Sequence, residues 1–175
     1  FSKSFIEQIE SLSKIASEFS NFAKMPDTKL EQTAILPVIE QAREVFRSAE
    51  NVEIIVTNRN EISAYIQADR DQLLRTFNNL FKNAIEAIDA DAECNINVLL
   101  YNDNKNAYIE IKDNGKGIPT TLHDKIFVPN FTTKTSGTGL GLAFVKQAIE
   151  NAGGNITFTS VADKGTTFYL SFPLV

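Results

Sequence analysis

Asn79, Asn83 and Glu86 lie at i, i+4 and i+7 in a stretch free of Gly and Pro, so on a helix they form one line. Asparagine is a mediocre helix former because its amide competes with the backbone, and two aligned in mid-helix ask for a reason. The chemistry they could carry is neutral oxygen ligation of a hard cation such as Mg²⁺, which takes few protein ligands and fills its shell with water and phosphate oxygens. The plain alternative is a solvated helix face. A second candidate is DNGKGIP, Asp113 to Pro119, directly after the strand-like YIEIK. Gly115 and Gly117 let the backbone turn sharply and approach a ligand. An Asp at a strand end can accept a hydrogen bond from an exocyclic amine such as that of adenine. Alone, the motif would be an ordinary Asp-Asn-Gly turn.

The third candidate is GTGLGLAFVK, where glycines 137, 139 and 141 precede an apolar helix whose first N–H groups can face an anion. It is not a dinucleotide fingerprint, since the third glycine comes one residue early and no strand precedes it, and no GxxxxGK[ST] phosphate loop occurs in the chain. A phosphate cradle of another kind remains. The preceding VPNFTTKTS carries hydroxyls and Lys134 without periodicity, the makings of a lid. Gly165-Thr166 opens the last strand and means little by itself.

Composition narrows the classes. The chain has 175 residues, 43% of them hydrophobic, enough for one domain with a real core and a helical appendage. One cysteine forbids an internal disulfide, and Cys94 reads as a structural residue at a strand start. One histidine leaves little for His-based catalysis or zinc. A net charge of −5 argues against general nucleic-acid binding, and no apolar run approaches the roughly 20 residues that span a bilayer. The start FSKSFIEQIE, without Met or a signal-like pattern, reads as a piece of something longer.

The elements that must position these residues follow from periodicity. Phe5, Ile9, Leu12, Ala16, Phe19 and Ala23 make a heptad seam on a first helix that ends near Pro26, broadened by Ile6, Ile15 and Phe22 as in a bundle. It reads as an arm joining another module, the alternative being the first helix of a compact domain. A helix is expected from about Thr33 to Arg47, strands at Val52–Thr57 and Ser63–Gln67, and a helix capped by Asp69 running through Asp89. On that helix Leu73, Phe77, Leu80, Ala84 and Ile88 form the sheet-covering face. Asn95–Tyr101 and Ala107–Lys112 read as a hairpin, Leu140–Ala152 as a helix ended by Gly153-Gly154, and Asn155–Ser160 and Thr166–Phe172 as closing strands. Several helices and six strands with hairpins mean an α+β two-layer sandwich.

Taken in order, NLFKNAIEA, DNGKGIP, IFVPNFTTK, GTGLGL and GTTF resemble the N, G1, F, G2 and G3 boxes of sensor histidine kinases, most like the nitrogen-regulation type, over residues 30–175. The resemblance implies the mixed sheet covered by helices that these kinases share with gyrase, mismatch-repair and heat-shock chaperone ATPases, the GHKL group. It implies a catalytic ATP-binding domain over 26–175, preceded at 1–25 by one helix of a dimerisation and histidine-phosphotransfer hairpin. ATP and Mg²⁺ would be the cofactors. Asn83 becomes the Mg²⁺ ligand with Asn79 assisting, and both join Lys134 as the catalytic set. Asp113 would bind the adenine amino group, Gly115 and Gly117 would pass close to the base, and Thr166 would hold it directly or through water. Phe127 and Phe131 would anchor the lid. Thr132, Thr133, Gly137, Thr138, Gly139, Leu140, Gly141 and Leu142 would complete the nucleotide site, with Lys134 and the glycines toward the phosphates.

The implied partners are an upstream helix bearing the acceptor histidine, a response-regulator receiver domain, and a second copy in a full-length homodimer. Neither nucleic acid nor membrane contact is expected of this chain. The implied location is cytoplasmic, with the full-length protein anchored in the inner membrane. Two departures stand out. The F box usually has a second aromatic where this chain has Asn130. The hydrolysing relatives carry a Glu general base where this chain has Asn79, and an amide cannot take that proton, so phosphoryl transfer is expected over hydrolysis. His123, in TLHDKIF, does not resemble an acceptor-histidine box and reads as a lid or surface residue. A hydrolytic ATPase of the same fold and a nucleotide-binding interaction domain remain as alternatives.

Overall fold

Alternation of apolar and polar residues along the strands leaves one face of the main sheet buried and the other open, which makes two layers. The structure is a computed structural model that describes residues 6, 8–10, 12–13, 16–17, 20, 28–60, 63–89, 91–133 and 137–175. Its elements run β1 (Glu31–Ala34), α1 (Ile35–Val45), β2 (Val52–Asn58), β3 (Tyr65–Ala68), α2 (Arg70–Glu86), β4 (Cys94–Asn102), β5 (Asn106–Asp113), a 3₁₀ turn (Thr120–Lys125), α3 (Gly141–Asn151), β6 (Asn155–Val161) and β7 (Gly165–Pro173). The main sheet has the order β2-β4-β5-β7-β6 and is mixed: β2 and β4 are parallel and the other pairs antiparallel. Phe77, Leu80 and Phe81 of α2 are buried in one core with Ile96, Val98 and Leu100 of β4, Ile109 and Ile111 of β5, and Phe168, Leu170 and Phe172 of β7. This is the expected α+β sandwich.

Two expected elements change. The helix expected from Thr33 begins at Ile35, because residues 31–34 form β1 and pair antiparallel with β3 in a separate two-stranded sheet. The Thr33 hydroxyl donates to Ala68 O at 3.2 Å, holding that residue extended where a helix was expected. The α2 helix stops at Glu86 instead of Asp89. Beyond it, the Lys116 N–H donates to Ala87 O at 3.0 Å, so the loop after β5 satisfies a helix-end carbonyl. The expected cap is present: Asp69 Oδ1 accepts from the N–H groups of Asp71 and Gln72. Leu73, Phe77, Leu80 and Ala84 are buried as the helical period requires, and Ile88 packs partly buried against them.

Of the seam residues, Phe5, Phe19 and Ala23 lie outside the described residues. The described residues between 6 and 20 are helical, and Ile6, Ile9 and Leu12 are more than half exposed. Cys94 is buried at the start of β4, as expected. Among the described residues no helix is long and apolar enough to cross a membrane.

Candidate functional site

A cavity of about 830 Å³ opens between α2 and the loops that follow β5 and precede α3. Its lining brings together Asn79, Asn83, Asp113, Gly117, Phe131, Thr132, Thr133, Gly137, Thr138, Gly139, Leu140, Gly141, Leu142 and Thr166. The five motifs, far apart in the chain, meet at one place. Glu86, third in the polar line on α2, lines it too. Gly115 and Phe127 do not, and Lys134 lies outside the described residues.

At one end stands Asp113, the last residue of β5 and 6% exposed. Its Oδ1 accepts from the Gly115 N–H at 2.9 Å and the Thr166 N–H at 3.1 Å. Its Oδ2 accepts no hydrogen bond from the described residues. Burial pushes this carboxyl above the usual Asp range, and the two backbone donors oppose that rise. One fixed oxygen and one open oxygen make an acceptor of set direction. Its charge also reaches Cys94, whose thiol is pushed up first by burial and then by Asp113.

The backbone around Asp113 has no room to move. The first residue of β7, Gly165, has φ +93°, and a Cβ there would lie 2.1 Å from Asp113 O. Gly117 has φ +70°, and its Cβ would lie 2.2 Å from Val161 O. A Cβ on Gly115 would meet the Ala87 methyl at 2.7 Å, so this glycine serves the packing of the loop on α2 and is not on the cavity wall. Ser160, which sequence reasoning missed, ties the pieces together. Its Oγ accepts from the Ile118 N–H at 2.8 Å, donates to Gly165 O at 3.1 Å, and lies 2.9 Å from Thr166 Oγ1. The only sequence signal for it is register: Ser160 is the β6 partner of Thr166.

At the other end α2 faces the start of α3. The Asn79 Nδ2 donates to Arg75 O at 3.0 Å, and its Oδ1 would stand 3.2 Å from a Cβ on Gly141. The amide nitrogen is thus committed to its own helix and the carbonyl oxygen turned to the first residue of α3, leaving an oxygen donor of the kind a hard cation takes. Gly139 has φ +69°, and its Cβ would fall 2.6 Å from Asn130 C and Phe131 N. The Asn130 N–H donates to Gly139 O at 3.0 Å, with Asn130 itself at φ 64°. Asparagine is among the few side chains that accept this conformation, which is a physical reason for an Asn where an aromatic was expected.

Phe127 sits beneath this region, its ring 6.0 Å from Phe158 and 6.5 Å from Phe168. It anchors through the core and not at the cavity. His123 packs its ring 4.9 Å from Phe158, and its Nε2 lies 3.0 Å from Ile118 O, so its side chain is engaged in packing.

Residues 68–175, more than half the chain, match the family of histidine kinase-, DNA gyrase B- and HSP90-like ATPases, and the chain belongs to that family. It is 35% identical over 172 residues to the signal transduction histidine-protein kinase AtoS of Escherichia coli, covering 97% of this chain and 28% of that protein. The chain therefore spans less than a third of this relative. Among solved structures, the mycobacterial sensor histidine kinase MprB is 28% identical with a TM-score of 0.73, covering 83% of this chain and 97% of that one. A histidine kinase, ThkA, solved in complex with the response regulator TrrA, shares the fold at 24% identity and a TM-score of 0.78 over 97% of this chain.

Proposed function

We propose that residues 26–175 are the catalytic ATP-binding domain of a sensor histidine kinase, and that residues 1–25 belong to its dimerisation and phosphotransfer hairpin. The domain transfers the γ-phosphoryl group of ATP to a histidine on a helix outside this chain, for relay to a response-regulator Asp. The observation that carries the reading is the layout of one cavity. An acceptor oxygen of fixed direction, Asp113 Oδ2, stands at one end, and the Asn83–Asn79 line with the glycine-rich start of α3 stands at the other. An adenine amino group suits the first and a phosphate chain the second.

Asn83 and Asn79 would hold Mg²⁺ through their carbonyl oxygens, where the ion offsets phosphate charge. The conformation of Asn79 fits that donor set, because its nitrogen is already bonded and its oxygen is the free end. With an amide at 79 no side chain there can take a proton from water, which favours transfer to an imidazole over hydrolysis. The module is cytoplasmic in this reading, and the longer protein works as a dimer.

The test joins the upstream histidine-bearing helix to this chain and supplies γ-labelled ATP with Mg²⁺. Acid-labile phosphate on the histidine is the expected result, and the isolated chain should hydrolyse ATP well below about 1 per second. Hydrolysis at or above that rate, abolished by Asn83→Ala, would mark a hydrolytic ATPase. Binding without transfer would mark an interaction domain.

A further inference from the structure

Along α2 the cavity has a direction. Ala87, just past the helix end, accepts the Lys116 N–H and packs against Gly115, so it marks the Asp113 end. Asn83, Asn79 and Arg75 then step back toward the start of the helix, four residues at a time, and all line the cavity. From Ala87 to Arg75 is about 18 Å at 1.5 Å per residue. Arg75 thus stands at the end farthest from Asp113, one turn beyond Asn79 and beside α3. Its guanidinium carbon lies 4.0 Å from the centroid of the Phe144 ring, in the first turn of α3.

The other cations among the described residues of the wall differ from it. Lys82 faces Glu86 at 3.8 Å, and Lys116 belongs to the Asp113 end. Arg70, on the same helix but outside the cavity, already donates to Gln41 at 2.6 Å. Arg75 makes no hydrogen bond or ion pair through its guanidinium with any described residue, although it is half-buried. An aromatic face holds such a group in place without consuming its N–H donors, since the attraction acts through the ring and leaves the planar fork open at its edge.

We infer that Arg75 is a ligand of the terminal phosphate of ATP, held ready on Phe144 and closing on the γ-phosphoryl oxygens through its planar fork of N–H groups. The inference rests on the ATP reading above and adds to it what distinguishes the triphosphate from the diphosphate. With the base on Asp113, the γ-phosphate is the part of the nucleotide that lies farthest along α2. A guanidinium matches its oxygens in pairs. ADP lacks the group that would reach Arg75, so the residue would favour substrate over product.

The experiment measures binding of a non-hydrolysable ATP analogue and of ADP, each with Mg²⁺ at fixed salt, to this chain and to Arg75→Gln and Arg75→Lys. Thermal melts check that the variants fold. Expected for Arg75→Gln is a loss of about tenfold or more for the ATP analogue, from a charge-assisted hydrogen-bonded pair, with ADP affinity within about twofold of wild type. Arg75→Lys should keep part of the preference. Equal losses for both nucleotides would overturn the inference and reduce Arg75 to a packing partner of Phe144, and so would an unchanged preference in Arg75→Gln. Wild-type binding of ADP and analogue separates those failures from failure of the ATP reading, in which neither nucleotide binds and the inference falls with it.

Discussion

The two ends of the cavity are built differently. At the Asp113 end the groups that make the acceptor sit at strand ends: Asp113, buried, closes β5, Thr166, buried, lies at the start of β7, and half-buried Ser160 joins them from β6. At the other end Thr132 and Thr133 are exposed, and the loop residues Asn130 and Gly139 meet through a backbone hydrogen bond. If the proposed function holds, the base pocket is made by sheet register and needs no ligand to form. A phosphate site made where loops meet a helix start depends more on what binds there. On the proposed function, the part of the nucleotide that never changes would be met by strand ends, and the part that reacts by loops and by side chains of α2.

The sharpest way to break this contrast is Asp113→Asn. The amide oxygen can still accept from Gly115 and Thr166, so the loop stays built, but the cavity-facing group becomes a donor opposite a donor. ATP affinity should fall by about 100-fold or more, as expected where a buried polar pair is mismatched. Stability should move the other way. Burial raises the Asp113 carboxyl in the folded state, so the native state binds this proton more readily than the unfolded chain. The resulting penalty is absent below the unfolded pKa, grows as pH rises through the window up to the raised folded value, and is full above it. Asp113→Asn should therefore raise the melting temperature at neutral pH, and the gain should vanish in acid below the ordinary Asp range. A lower melting temperature at pH 7 would mean that the charge itself holds the loop.

Two glycine variants separate the ends. In Gly165→Ala the methyl meets Asp113 O within the sheet, at a φ that alone costs about 1–2 kcal/mol. With neighbouring strands fixed by pairing, the total should exceed about 3 kcal/mol and appear as a large drop in denaturant midpoint. Gly139→Ala meets only loop backbone at Asn130 and Phe131. Its loss should appear chiefly in nucleotide affinity, with a midpoint shift of about 1–2 kcal/mol. Equal midpoint losses in the two variants would erase the distinction between sheet-built and loop-built ends.

Much of this was legible because the needed residue types are restrictive. An Asp at a strand end, glycines at Gly117, Gly139 and Gly165, and asparagines in mid-helix all work against local propensity, and such positions show in a sequence. Three features did not show. The β1 strand is four residues long and is held by pairing with β3 some thirty residues away, a long-range contact that overrides the local helical pattern. Ser160 looks like any strand serine until its register places it opposite Thr166. Arg75 reads as one more charge on a solvated helix face, because its neighbour Phe144 belongs to another helix. Gly115 was legible as a necessary glycine but for a different contact: the Ala87 methyl occupies the space where a ligand was expected.

The smallest effect sharpens the contrast most finely. Asn130 holds φ 64° at an exposed position where the chain turns toward Gly139. Glycine takes that conformation without the Cβ conflict, and Asn takes it better than most but still at a cost. Asn130→Gly should leave the folded loop geometry intact while loosening the unfolded chain, so the two terms offset to within about 0.5 kcal/mol in midpoint. Asn130→Val puts a β-branched side chain where φ is positive, costing about 1–3 kcal/mol, and the backbone bond to Gly139 should give way first. Nucleotide affinity should then fall in Asn130→Val and stay near wild type in Asn130→Gly. If the valine variant bound ATP normally, the contact between the two loops would have no part in forming the phosphate end, and that end would be as preformed as the base pocket.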